Sequence, residues 1–292
     1  MSVLVDLIVM LGMFVIVPMG LGLIDGPRPR GLRSLRRAWP LLAAPGALAL
    51  WLPRSPTAAA LAAVYALATV ALALCAPARI TALARREGGF SPRLLAPAEI
   101  AVLTALVAPS VAGLALVAER AGHELFGFDL DILALTVPHF HFAGFAAALV
   151  AGLVCRTSDG RATRFAALSV PLGTLLVLIG YFVDDWAELV GALVLTAGMW
   201  AVALETRREL RGGLDPVTRG LLAVSAVVLV ATMLLALSWA LGEATGLPHP
   251  NLTWMAATHG LGNALGFALC SLLARHRLRA TDPIKETAPW PV

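Results

Sequence analysis

The chain has 292 residues, 59% of them hydrophobic and only 14% charged, with a mean hydropathy of +0.83. A soluble domain carries about a quarter charged residues, so this composition excludes one and points to an integral membrane protein. The formal charge is +4, and Lys285 is the single lysine, but the arginines fall in short gaps between apolar runs, where they act as topology signals and not as a nucleic-acid surface.

A hydrocarbon core about 30 Å thick needs about 20 apolar residues per helix. Such runs are predicted at Ser2 to Ile24, Trp39 to Leu52, Thr57 to Ala76, Leu94 to Ala118, Ile132 to Val154, Phe165 to Tyr181, Trp186 to Leu204, Leu221 to Leu241 and Thr253 to Ala274. The expected fold is therefore an all-α polytopic bundle of about nine helices. The count falls to eight if the short second run, which contains Pro45 and Gly46, is re-entrant or broken. The first run lacks a basic leader and a small-residue cleavage site, so it reads as a retained helix.

Arg28, Arg30, Arg33, Arg36 and Arg37 follow the first run. By the positive-inside rule that gap is cytoplasmic, the N-terminus lies outside and the C-terminus inside. Arginine clusters at 79–93, 156–164, 207–219 and 275–279 fall on the same side, while the intervening gaps hold acids such as Glu119, Asp129, Asp184, Asp185, Glu188 and Glu243. No gap is long enough for a soluble core. Residues 1–279 are expected to form one transmembrane domain and 280–292 a disordered cytoplasmic tail. Cys75, Cys155 and Cys270 lack paired spacing and read as packing residues.

An ionisable side chain at mid-helix in lipid costs at least ~2.5 kcal/mol, so each one is a candidate for function. The fifth run contains Thr136-Val-Pro138-His139-Phe-His141-Phe142. Residues two apart point about 200° from each other on a helix, so His139 and His141 are expected to face different neighbours. In the ninth run His259 and Asn263 are one turn apart and share a face, with Gly260, Gly262 and Gly266 leaving room around them. A third group, Tyr181-Phe-Val-Asp184-Asp185-Trp186-Ala-Glu188, forms an outer turn, where acids also serve as helix caps. Glu99, within the fourth run, is expected to extend toward Arg93.

The two histidine segments, His139-Phe-His141-Phe-Ala-Gly144-Phe145 and Thr258-His259-Gly260-Leu-Gly-Asn263-Ala-Leu-Gly266-Phe267, resemble the YndJ-like family of bacterial membrane proteins. The resemblance covers roughly the second half of the chain. Members are often labelled transporters, a label that implies no residue roles here.

Three functions fit these residues. The first is acid–base catalysis (cyclisation, isomerisation or hydrolysis) on a lipid-soluble substrate by a multi-pass protein of the cell membrane. His259 would be the acid/base, Asp184 or Asp185 its partner, and His139 and His141 further catalytic groups. Asn263, Glu188, Trp254, Phe142, Tyr181 and Asn251 would bind or orient the substrate. The second is a transporter or proton-coupled carrier using the same residues. The third is a metal or haem protein, with His139, His141 and His259 as the ligand candidates; otherwise no cofactor is expected. Expected partners are membrane lipid and a lipophilic small molecule, with self-association left open and nucleic acid excluded.

Overall fold

A computed structural model describes residues 3–24, 30–89, 91–158 and 160–281, and these are helical apart from short turns. Among the described residues, nine long helices follow one another: α1 (Val3–Leu23), α2 (Arg30–Leu50), α3 (Pro56–Glu87), α4 (Pro97–Ala121), α5 (Leu130–Thr157), α6 (Arg161–Gly180), α7 (Asp185–Glu209), α8 (Pro216–Thr245) and α9 (Leu252–Thr281). All except α2 are long and apolar enough to cross a membrane, which makes this a multi-pass membrane protein. Asp25 and Arg28 lie outside the described residues, as does the expected tail from 282 on, while its first two residues, Ala280 and Thr281, continue the last helix.

The second run differs from expectation. Expected only from Trp39 and open to a break at Pro45, α2 instead starts at Arg30 and continues through both Pro40 and Pro45. Hydropathy stops at the arginines, but the backbone does not, because long basic side chains at a helix end can reach out of the apolar zone. Its 21 residues at about 1.5 Å each reach roughly across a hydrocarbon core. One end lies beside α1, where the Arg36 guanidinium approaches Gly22. At the other end Arg120 donates to the carbonyls of Leu50 and Leu52 at 3.3 and 3.1 Å. The helix is therefore unbroken and extends from the α1 side at Arg36 to the carbonyls held by Arg120.

The breaks that do occur have local causes. In α3 the helix pauses at Leu74, one turn before Pro77, whose ring displaces the preceding carbonyl and whose nitrogen donates nothing. The most enclosed helix is α5, in which every residue from Phe140 to Val154 except Ala143 is buried. α6 and α7 pack closely through glycines: a Cβ at Gly191 would lie 2.5 Å from the Val177 nitrogen, and one at Gly180 2.5 Å from the Glu188 Cα. Such small residues let backbones touch where lipid gives no hydrophobic drive for association.

Ion pairs close the arginine-rich end. Arg79, fully buried, grips Glu99 with two bonds of 2.9 and 3.0 Å, and Arg156 adds a third at 2.7 Å. Glu99 therefore does not extend to Arg93, which pairs with Glu87 at 3.4 Å. Arg275 meets Glu209 at 3.0 Å. Arg279 donates to the carbonyls of Gly22 and Leu23 at 2.7 and 2.9 Å, capping α1. Asp215 caps α8, and bonds from Thr218 followed by the Arg277 guanidinium hold its carboxyl at about 2.

Two arginines sit at the opposite end, in gaps otherwise marked by acids. Both are tied to Glu119, by Arg54 at 3.0 Å and by the adjacent Arg120.

These pairs should differ sharply in their contribution to stability. Glu99→Gln removes the one carboxylate shared by two enclosed guanidiniums and should cost about 3–5 kcal/mol. Glu87→Gln, at the exposed pair, should cost less than about 1 kcal/mol. Thermal unfolding of the purified variants in one detergent compares them; equal midpoints would contradict the reading of Glu99 as the lock of this end.

Candidate functional site

Three helices change pitch at the same place. Gly12–Ile16 in α1, Phe140–Ala147 in α5, and Ala256–Gly260 with Gly262–Leu269 in α9 are π-helical, and the three stretches touch one another. Wide turns of this kind are frequent at functional sites because they leave backbone groups without their usual partners. In α1 the cause is legible. Val17 N–H bonds to the Gly12 carbonyl, five residues back, so the next donor in that register, to Met13, would be residue 18, a proline with no N–H. The Trp39 indole N–H fills the vacancy, reaching the Met13 carbonyl at 2.8 Å.

As expected from their spacing, His139 and His141 leave α5 in different directions. His141 is fully buried and points toward α1 and α3. Its Nδ1 lies 2.7 Å from the Val137 carbonyl, which can only accept, so Nδ1 carries the proton. Nε2 therefore accepts from the Tyr65 hydroxyl at 2.5 Å. Trp39 meets the Tyr65 ring edge-on at 5.9 Å, and Gly12 makes room for the imidazole, since a Cβ there would lie 3.0 Å from it. Both ring nitrogens of His141 are thus satisfied inside protein.

His139 directly precedes the π-helical stretch of α5, which packs against that of α9, the helix that carries His259. His259 is held from the far side by α8. Its Nδ1 donates to the Thr232 carbonyl at 2.8 Å, while the Asn263 amide donates to Nε2 at 3.2 Å. The Thr232 hydroxyl donates to the Asn263 carbonyl oxygen at 2.8 Å, closing a ring of bonds. His139 has no such support: its Nε2 is buried with no hydrogen-bond partner among the described residues. An unsatisfied buried polar atom costs about 1–3 kcal/mol, so this nitrogen is poised for a polar group from outside the chain.

The approach to this pair is loose. From Asn251 to Asn263 no residue of the α9 region is buried. A Cβ at Gly260 would meet only the Met255 carbonyl at 3.7 Å and Ile8 at 3.8 Å among its nearest neighbours. The imidazoles thus sit where the enclosed α5 meets a sparsely packed helix, on the side of the bundle that faces α1.

The outer-turn acids do not join them. Asp184 caps α7, accepting from Ala187 N–H at 2.8 Å, and it and Asp185 are exposed. Glu188 lies near Asp185 and Glu243, and Tyr181 shares that rim, edge-on to Phe128 at 6.2 Å. Glu243 stands about 16 Å along α8 from Thr232, the residue that holds His259. The partnership expected between His259 and Asp184 or Asp185 is therefore not formed, because α7 begins near the membrane surface and its first turn uses those acids as caps. Asn251 likewise caps α9, accepting from Trp254 N–H at 2.9 Å, and Trp254 is exposed, while Phe142 is packed in the core. The ligand set His139, His141 and His259 is also not assembled: His141 faces away, and among the described residues no three His, Cys, Asp or Glu converge as a metal site.

Tyr65 and Thr232 were not among the sequence candidates. Tyr65 had a usable signal, being one of only two tyrosines and lying mid-span, where a hydroxyl requires a partner. Thr232 had none, since its backbone carbonyl is the acceptor that matters. Tyr65→Phe leaves His141 Nε2 buried and unsatisfied, and thermal unfolding should show a loss of about 1–3 kcal/mol; an unchanged midpoint would mean that the bond contributes nothing.

No curated protein and no solved structure matches the chain. Residues 7–267 match the family described as YndJ-like protein, so the likeness visible in the two histidine segments extends over most of the sequence, and the chain belongs to the YndJ-like family.

Proposed function

We propose that this is an acid–base enzyme of the cell membrane, acting on a lipid-soluble substrate at His139 and His259. The observation that carries the proposal is the buried, partnerless His139 Nε2 on a helix packed against the one whose imidazole, His259, is fixed by Thr232 and Asn263. His139 supplies the nitrogen that meets the substrate. His259 serves as the acid/base once the Asn263 amide, which donates to its Nε2, releases that nitrogen, and Thr232 keeps its ring in place through Nδ1. Proton transfer by a positioned group contributes about 10²–10⁴-fold in rate, the scale expected of a cyclisation, isomerisation or hydrolysis of this kind. The sparse packing of α9, with no residue buried from Asn251 to Asn263, supports entry from the bilayer.

A carrier would need its ionisable groups to continue toward the arginine-rich end. There Glu99 is held by two arginines, which gives a mobile proton no resting place.

The test is a comparison of lipid extracts from cells making the wild-type protein and the variants His139→Ala, His259→Ala and Asp184→Asn. Mass spectrometry should show a lipophilic product that falls by about 10²-fold or more in both histidine variants and persists in Asp184→Asn. Product formation unaffected by either histidine change would refute the assignment. Proton flux into liposomes that depends on His259, without chemical conversion, would replace the enzyme with a carrier.

A further inference from the structure

A cavity of about 440 Å³, whose lining includes no histidine, opens at the end opposite the arginine-rich one, reaching from the 52–54 turn down to Val9 and to Val137, whose carbonyl holds His141. Its walls carry two carboxylates and two guanidiniums: Asp6, Glu119, Arg54 and Arg120. Not all of these are available. Glu119 is engaged by both arginines, and Arg120 is further committed to the last carbonyls of α2. Arg54 uses only its Nε, and its side chain is 42% exposed. Asp6 makes no hydrogen bond or ion pair among the described residues. Asp6, which feels the Arg120 charge but accepts no hydrogen bond from it, and one guanidinium edge of Arg54 thus remain to be matched, above a floor of apolar side chains that includes Val9 and Leu116.

A carboxylate without a partner in a mostly apolar helix is costly in lipid, and an ammonium bearing N–H donors offsets that cost best, by charge-assisted hydrogen bonds. The terminal amines of Arg54 match a phosphate by the same chemistry. A single occupant meeting both must carry an ammonium and a phosphate on one short frame, and the apolar floor adds a requirement for hydrocarbon. The volume is that of an ordinary ligand pocket, enough for a headgroup and its first methylenes.

We infer that this cavity binds the headgroup of a phosphoethanolamine lipid, with the ammonium on Asp6 and the phosphate on Arg54. The site is separate from the histidine pair and does not depend on what that pair does. A choline headgroup satisfies Asp6 poorly because its nitrogen has no hydrogen to donate. A glycerol headgroup brings no cation at all.

Native mass spectrometry of the full-length protein in detergent, titrated with phosphatidylethanolamine, phosphatidylcholine and phosphatidylglycerol, tests this. The ethanolamine lipid should be retained best. Asp6→Asn, nearly isosteric, should weaken its retention by about tenfold while leaving the glycerol lipid unchanged. Arg54→Gln should weaken both. Soluble glycerophosphoethanolamine in excess separates the sources of this chemistry: failure to displace the lipid upholds a membrane-lipid site, and displacement shows that the free headgroup suffices and overturns the assignment to lipid. Equal retention of all three lipids by the wild-type protein, or an unaltered ethanolamine titration in Asp6→Asn, overturns the proposal as well, and the wild-type comparison stands even where a variant fails to fold.

Discussion

A polar side chain that cannot reach water in a bilayer has to find its partner on another helix, and the placement of nearly every functional group in this protein follows from that constraint. α5 is the clearest instance. It is enclosed along most of its length, yet it carries two imidazoles, so each must be answered by a different neighbour. Tyr65 on α3 answers His141. His139 Nε2 has no such answer, while on α9, packed against α5, His259 is hydrogen-bonded to α8 and to Asn263. The same demand organises the ends, where guanidiniums meet carboxylates or cap the last carbonyls of a helix.

Pitch changes are the means by which the backbone contributes to this matching. An α-helix keeps its carbonyls for itself. The wide turn before Pro18 leaves the Met13 carbonyl without a main-chain donor, and Trp39 supplies one from α2. That bond sets Trp39 against Tyr65, and Tyr65 in turn reaches His141. A proline in α1 is thereby linked, through two aromatic rings, to the orientation of an imidazole on α5. The site is built from pieces far apart in the sequence, which accounts for how incompletely it could be read in advance.

The fold was largely legible. Span-length apolar runs marked the crossings, and alternating arginine-rich gaps marked which loops would share an end; the pairing of Arg279 with α1 and of Arg156 with Glu99 places those loops together. The start of α2 was not legible, because a helix whose first turns are arginine-rich fails any test of apolarity while remaining a helix. Within the site, the opposite directions of His139 and His141 followed from helical geometry alone. The depth of the Asp184 turn did not. Sequence distance gives the number of residues between an acid and the end of a helix, but not which acid will be used as a cap, and capping takes Asp184 and Asn251 out of the chemistry.

What separates the three central histidines is the group that meets Nε2. In His141 and His259 a backbone carbonyl fixes the proton on Nδ1, so Nε2 is an acceptor in both, met by a phenol in one case and an amide in the other. A phenol enclosed on every side makes His141 a structural crosslink between helices. An amide on the same helix as His259 leaves that ring at the edge of an open region. His139 Nε2 meets neither. A leucine at this position would leave no polar atom to satisfy, and the ring's aromatic neighbour is Phe140, edge-on at 5.5 Å. An imidazole placed there and left without a partner is therefore the one feature of α5 that packing alone does not account for, and it is on this that the proposed chemistry rests.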